Sequence, residues 1–139
     1  MADTIEFELV SPERLVLSQP VEMAVVPGAA GDFGAMPQHA PLISAVRPGV
    51  IDIYQGGKVT SRIFVAGGFV EVTSVRCTVL AEEAMPVTEL DQATVAARLE
   101  FAERSLADAA GDPARAKAQL AVAVAQAMQA ALAKTPAPH

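Results

Sequence analysis

Apolar and polar residues alternate along the first part of the chain. Ile5, Phe7 and Leu9 are separated by two glutamates, which is the two-residue period of a strand with one buried and one solvent-facing side. Similar short runs, rich in β-branched residues, follow and are separated by Gly, Pro and Asp. The pattern predicts an all-β sandwich, or flattened barrel, with further strands at residues 14–17, 21–26, 42–46, 49–54, 59–66, 69–73 and 76–81.

The pattern changes after Pro86. Glycine is absent from there to Gly111, and residues of high helix propensity dominate. Thr88 precedes two acidic residues that suit the positive end of a helix dipole. We therefore predict a helix over residues 89–109, with a buried stripe at helical spacing formed by Val95, Leu99, Ala102 and Leu106.

A second helix is predicted to follow directly. Gly111, Asp112 and Pro113 supply in turn a helix-ending glycine, an N-cap and a first-turn proline, and the helix is expected to end near Lys134. Its larger apolar residues are Leu120, Val122, Val124, Met128 and Leu132. The chain is thus predicted to consist of a β-sandwich domain (residues 1–86) and an antiparallel two-helix hairpin (residues 87–139) that ends in a frayed tail.

Alanine dominates the second predicted helix. It favours the helical state but has few methylene groups to bury, so an alanine-rich seam gives little docking energy. Two interpretations stay open: a hairpin that exchanges between docked and extended positions, and a permanently folded hairpin with a close-packed small-residue interface. Uniformly slow hydrogen exchange across residues 95–132 would exclude the mobile hairpin.

Charge and composition exclude several classes of function. A net charge of −6 would repel phosphate backbones, and no cluster of Lys and Arg offsets it, so we expect no nucleic-acid partner. The single cysteine, Cys77, cannot form an intramolecular disulfide and is interpreted as a small buried hydrophobe. The sequence has neither the roughly 20 apolar residues of a membrane helix nor a secretory signal, so we expect an intracellular protein without direct membrane insertion.

The residues that carry reactive groups do not form a catalytic motif. His39 lies between two prolines, and neither cysteine nor an acidic trio at metal-ligand spacing accompanies it. The glycines from Gly28 to Gly34 lack the Lys-Ser/Thr pair of a phosphate loop and are predicted to form a tight surface loop. An enzyme would need His39 to converge with Glu82 or Glu83 in a cleft. We expect no catalytic residue, metal or cofactor.

Three segments together resemble the epsilon subunit family of bacterial F-type ATP synthases. The first is Gly31-Asp32-Phe33-Gly34-Ala35-Met36-Pro37-Gln38-His39-Ala40-Pro41-Leu42-Ile43, followed by Arg47-Pro48-Gly49. The second is Ala66-Gly67-Gly68-Phe69-Val70-Glu71-Val72. The third is Thr78-Val79-Leu80-Ala81-Glu82-Glu83-Ala84, with Leu90-Asp91 opening the helical part. Their order along nearly the whole chain is more specific than any one segment.

The resemblance implies a non-catalytic central-stalk subunit that couples rotation of the proton-driven ring to ATP synthesis. Its sandwich would bind the gamma subunit and the membrane rotor ring, and its hairpin would face the alpha/beta head and restrain ATP hydrolysis when extended. The chain would then lie at the cytoplasmic face of the bacterial inner membrane. The interface residues carried over from the family are Gly31, Asp32, Phe33, Met36, His39, Ala40, Pro41 and Leu42.

The helical part departs from relatives that bind ATP. Those carry Ile/Leu-Asp-x-x-Arg-Ala at the first helix, whereas here Thr94 replaces the first arginine and Phe101 stands where a second is expected. The expected bidentate guanidinium contacts to a triphosphate are therefore missing. Arg98 and Arg104 are the candidates to replace them, and Asp91 and Arg98 would be the contacts if ATP is bound.

The alternative to the rotor subunit is a freestanding β-sandwich module with a helical tail that binds a small molecule or carbohydrate. It predicts an aromatic-lined pocket.

Overall fold

The computed structural model describes residues 3–134, and the chain divides into two compact units between Pro86 and Val87. The first unit has ten strands: β1 (Ile5–Val10), β2 (Leu15–Val21), β3 (Met23–Gly28), β4 (Gly31–Ala35), β5 (Leu42–Ala45), β6 (Gly49–Gln55), β7 (Lys58–Ala66), β8 (Phe69–Val72), β9 (Arg76–Leu80) and β10 (Glu83–Pro86). The second unit is helical. The predicted fold class, a β-sandwich followed by a helical hairpin, is confirmed.

The strands form two five-stranded sheets. The first has the order β2-β1-β9-β8-β5 and the second β10-β7-β6-β3-β4. Strand β1 pairs in parallel with β9, and the other pairs are antiparallel. The alternating apolar residues of β1 are fully buried in a core cluster that both sheets supply. Burial of one face of each sheet accounts for the two-residue period in the sequence.

Two strands lie where the sequence analysis predicted none. The segment Gly31–Ala35, predicted as a surface loop, is strand β4, and the segment Glu83–Pro86 is strand β10. Glycines at positions 31 and 34 weaken the strand signal of β4, which is held instead by backbone pairing with β3. Strand β2 is also longer than predicted because its position at a sheet edge tolerates Pro20.

One glycine is required by the close approach of two strands. Gly68 has φ +96°, and a Cβ atom there would lie 1.8 Å from the carbonyl oxygen of Leu80. Its own carbonyl oxygen accepts the backbone N–H of Val46 at 3.0 Å. Only glycine lets the turn before β8 pass this close to β9.

The second unit begins with a 3₁₀ turn (Val87–Glu89) and continues as helices α1 (Gln92–Ala107) and α2 (Asp112–Ala133). The first helix starts later than predicted because Asp91, not Thr88, is its N-cap. Its carboxylate accepts the backbone N–H of Thr94 at 2.9 Å. The second helix is capped by Gly111, with Asp112 already in its first turn, whereas the sequence analysis had Asp112 as the cap.

The predicted stripe of α1 is present, with Val95 and Ala102 buried and the two leucines half-buried. In α2 the buried residues are mostly alanines: Ala118, Val124, Ala125, Met128 and Ala131. Within residues 3–134 no helix has the length and apolar character needed to cross a membrane. The predicted tail at residues 135–139 lies outside the described residues.

Candidate interaction site

The hairpin of β3 and β4 ends in a two-residue turn of small residues. Gly28 and Gly31 are paired, and Ala29 and Ala30 between them are exposed. A Cβ atom at Gly28 would lie 2.9 Å from the carbonyl oxygen of Gly31 and 3.0 Å from the Phe33 ring. The position beside the turn therefore has no room for a larger residue. The tip therefore presents backbone rather than bulky side chains.

Arg47 holds this hairpin from the segment that follows β5. Its Nη1 donates to the carbonyl oxygen of Gly28 at 2.8 Å, and its Nη2 donates to Oδ1 of Asp32 at 2.5 Å. Its backbone N–H donates to the carbonyl oxygen of Pro27 at 3.0 Å. Asp32, which sequence alone would assign as a solvated charge, therefore has a fixed partner.

The loop after β4 carries His39. Gln38 adopts φ +67° in this loop, and its backbone N–H donates to the carbonyl oxygen of Ser74 at 2.7 Å, which anchors the loop to the β8–β9 turn. Nδ1 of His39 lies 2.5 Å from the carbonyl oxygen of Ala40, an acceptor, so this nitrogen carries the hydrogen. The imidazole also packs against the Phe33 ring, with ring centroids 6.1 Å apart.

The predicted interface residues follow one continuous path, along β4, through the loop and into β5. Phe33 and Leu42 pack against the sandwich core, so their first role is structural. Phe33 and His39 are brought together, while Asp32 is oriented separately by Arg47. The members of the set with exposed surface are Gly31, Asp32, Met36, Ala40 and Pro41.

The sequence analysis missed an apolar row on the outward face of the first sheet. Strand register places Ala45, Phe69, Leu80, Val10 and Leu15 side by side across all five strands. Phe69, Leu80 and Leu15 are 61%, 56% and 57% exposed. Each strand contributes a single residue to the row, so only the strand order could have revealed it.

The row adjoins the hairpin and has a polar border. The carbonyl oxygen of Ala45, at one end of the row, accepts the backbone N–H of Ala29 at 2.9 Å. The next row on the same face is mostly polar and consists of Ile43, Glu71, Thr78, Glu8 and Ser18. An apolar centre beside polar groups is typical of protein–protein interfaces.

The residues of the enzyme alternative do not converge. The loop of His39 is anchored at Ser74, beyond the end of β8, whereas the Glu82 carboxylate lies over Gly67, before its start. Strand β8, which is four residues long, separates these two ends by about 10 Å. His39 and Glu82 therefore lie at opposite ends of β8, and Glu83 is opposite Ala66 in the second sheet.

The ligand-binding alternative is not supported either. A shallow hollow beside the loop is lined by Thr4, Glu6, Pro37, Gln38, Ser74 and Val75, none of which is aromatic.

The pKa values of Cys77 and Asp91 are perturbed for structural reasons. Burial raises the pKa of the Cys77 thiol from 9.0 to about 12, because the charged thiolate is disfavoured away from water. Hydrogen bonds from the backbone N–H and then the hydroxyl of Thr94 lower the pKa of Asp91 below 3.8. Thr94, which stands in place of an arginine, thus engages the carboxylate that was the candidate ATP contact.

Comparison with known proteins identifies the family. Residues 4–87 match the family described as ATP synthase, Delta/Epsilon chain, beta-sandwich domain. The ATP synthase epsilon chain of Rhodospirillum rubrum is 61% identical over 131 residues, which cover 94% of this chain and 98% of that one. The epsilon chain of Paramagnetospirillum magneticum is 57% identical over 133 residues, which cover 96% and 100% of the two chains.

Solved structures share the fold. A chain of the Euglena gracilis mitochondrial ATP synthase superposes with a TM-score of 0.80 at 24% identity and covers 95% of this chain and 83% of that one. A chain of the Tetrahymena thermophila central stalk and ring assembly gives a TM-score of 0.68 at 14% identity, covering 91% and 95%. The family expected from the sequence segments is confirmed. The chain belongs to the ATP synthase epsilon chain family.

Proposed function

We propose that the sandwich binds the gamma subunit through the apolar row and the rotor ring through the β3–β4 hairpin, and so transmits rotation between them. The observation that carries this proposal is the continuity of the two surfaces, because Ala45 belongs to the row and also bonds to the hairpin turn. A subunit held by two partners at adjoining surfaces resists being twisted away from either one. The α1–α2 hairpin is the part that would face the alpha/beta head.

The proposed role requires no chemistry from this chain. The Cys77 thiol is buried and held in its unreactive protonated form by its raised pKa. His39 uses one ring nitrogen in a bond to its neighbour's carbonyl oxygen. These groups suit a non-catalytic subunit, which we place at the cytoplasmic face of the bacterial inner membrane, held there by the complex.

Exposed apolar area is the reason to assign the row to gamma. Burying a phenylalanine side chain against a partner is worth about 2 kcal/mol, and the row offers three large side chains that are more than half exposed. Its border of glutamate, threonine and serine keeps the surface compatible with water before assembly.

Binding of the purified chain to gamma tests this assignment. Phe69→Ser should weaken gamma binding by about tenfold or more, since the aromatic anchor of the row is lost. Phe101→Ser is the matched control, because Phe101 is similarly exposed at 67% but lies in α1. If Phe69→Ser and Phe101→Ser weakened gamma binding equally, or if Phe69→Ser did not weaken it, the assignment of the row to gamma would be contradicted.

The hairpin is tested separately with the detergent-solubilised rotor ring. Asp32→Ala should weaken ring binding and leave gamma binding within about twofold, whereas Phe69→Ser should do the reverse. A loss of gamma binding in Asp32→Ala equal to that in Phe69→Ser would show that the two surfaces do not have separate partners.

A further inference from the structure

We infer that Arg47 is a positioning residue: it fixes the tip of the β3–β4 hairpin and one oxygen of the Asp32 carboxylate, so that a partner meets a preset hydrogen-bond acceptor. The inference deepens the proposed function and rests on it, since the partner in question is the rotor ring. Asp32 is then not an independent charge but one member of an ion pair with Arg47.

The geometry of the guanidinium supports this role. One terminal nitrogen donates to the carbonyl oxygen of Gly28, next to the turn of the hairpin, and the other to Asp32 on its second strand. The rigid planar fork of arginine can hold two acceptors in a fixed relation, which the single ammonium of lysine cannot. The backbone N–H of Arg47 also donates to the carbonyl oxygen of Pro27. Arg47 therefore contacts the hairpin at three residues, Pro27, Gly28 and Asp32.

The hairpin has few other restraints near its tip. Ala29, Ala30, Gly31 and Asp32 are all exposed, and β4 is an edge strand that pairs only with β3. Beyond its pairing with β3, the tip is tied back by the antiparallel bridge between Gly28 and Val46, with its bond from Ala29 to Ala45, and by the Arg47 guanidinium. Loss of the guanidinium should therefore loosen the tip selectively.

The pair also decides what kind of partner group fits. Arg47 occupies Oδ1 of Asp32 and balances its charge, while the side chains remain 44% and 60% exposed. A partner can therefore reach the carboxylate, but it meets a neutral pair. We expect the fitting group to be a hydrogen-bond donor, with ring binding that depends little on salt, because a neutral pair exerts little long-range attraction.

The test compares Arg47→Gln with Arg47→Lys and with Lys58→Gln as control. Lys58 is exposed at the start of β7, next to the β6–β7 turn, so the control removes the same charge at the far end of β6. In the full-length chain by itself, amide exchange at Ala29 should be about tenfold faster in Arg47→Gln and unchanged in Lys58→Gln. Arg47→Lys should give intermediate exchange, since charge is kept but the fork is lost.

Binding to the detergent-solubilised rotor ring is the second measurement. Arg47→Gln should weaken binding about threefold to tenfold and make it more dependent on salt, because Asp32 becomes an unpaired charge. In an Asp32→Asn background, where that charge is absent, the same Arg47 substitution should have less effect and should not alter the salt dependence.

The outcomes separate the two proposals. If the unsubstituted chain fails to bind the ring while Arg47→Gln still speeds exchange at Ala29, the proposed function is wrong and the positioning role stands. If the chain binds the ring but Arg47→Gln matches Lys58→Gln in exchange and affinity, the positioning role is wrong and the proposed function stands.

Discussion

At the scale of single residues, burial determines what Cys77 can do. It is the one cysteine of the chain, is fully buried in strand β9, and has a thiol pKa raised to about 12 by loss of contact with water. Because the thiolate is the reactive form, a folded sandwich should protect this residue from alkylating reagents. Labelling of Cys77 thus reports on opening of the sandwich.

We therefore expect N-ethylmaleimide at pH 8 to label the native chain slowly and the urea-unfolded chain at once. The control is Ser18→Cys in a Cys77→Val background, since Ser18 is exposed on β2 and should react without unfolding. Mass spectrometry measures both rates. Equal labelling of the two native proteins would contradict the burial of Cys77.

The same pKa shift has a consequence for stability in alkali. Above about pH 9 the unfolded chain loses the thiol proton while the folded chain keeps it, so the free energy of unfolding falls until about pH 12. The fall attributable to this group is up to about 1.4 kcal/mol for each pH unit. The difference between the unsubstituted chain and Cys77→Val isolates it from other titrating groups.

At the scale of elements, the start of α1 depends on one carboxylate. Asp91 accepts both the backbone N–H and the hydroxyl of Thr94, at 2.9 Å and 2.8 Å. Its lowered pKa means that the cap stabilises the folded form above the ordinary value of 3.8 and is lost as pH falls through the lower value of the folded state.

Asp91→Ala should speed amide exchange at Thr94 at neutral pH, whereas Asp91→Asn should not, since asparagine is also a good N-cap. In acid the unsubstituted chain and Asp91→Asn should differ in protection at Thr94. The unsubstituted chain should lose protection at Thr94 below pH 3.8, and Asp91→Asn should retain it. An acid transition of equal size in Asp91→Asn would show that another group controls this helix end.

Some strands could be predicted from the sequence and others could not. Strands with regular alternation, such as β1 and β6, were predictable because a buried face leaves a two-residue period. Strand β4 was not, since its glycines carry no such signal and its partner supplies the stabilisation. For the site, the sequence segments indicated Asp32 and His39. The apolar row follows from strand order, and the partner of Asp32 from a tertiary contact of Arg47, which lies between β5 and β6; no local pattern encodes either.

At the scale of the whole molecule, the charge of the second helix limits its electrostatic attraction to the alpha/beta head, the partner proposed above for the helices. The cations of α2 are Arg115 and Lys117, followed by Lys134 at its C-cap. Arg115 is already paired with Asp112 at 3.2 Å, and Lys134 also has an intramolecular partner. Few charges remain for electrostatic attraction to another subunit.

Deletion of residues 86–139 should therefore raise the ATPase activity of the assembled enzyme by less than several-fold. The comparison uses complexes reconstituted with the full chain and with the truncated one, at equal occupancy of the subunit. A several-fold rise would show that the helices restrain hydrolysis strongly despite their sparse charge.

The parallel pairing of β1 with β9 also sets when this protein can fold. These strands lie at opposite ends of the sandwich sequence, and Glu6 is opposite Arg76. Until β9 leaves the ribosome, β1 has one unpaired edge and an apolar face without its final neighbours. Closure of so distant a contact is slow, so the nascent sandwich passes through a stage prone to aggregation that ends only after most of the domain has been synthesised.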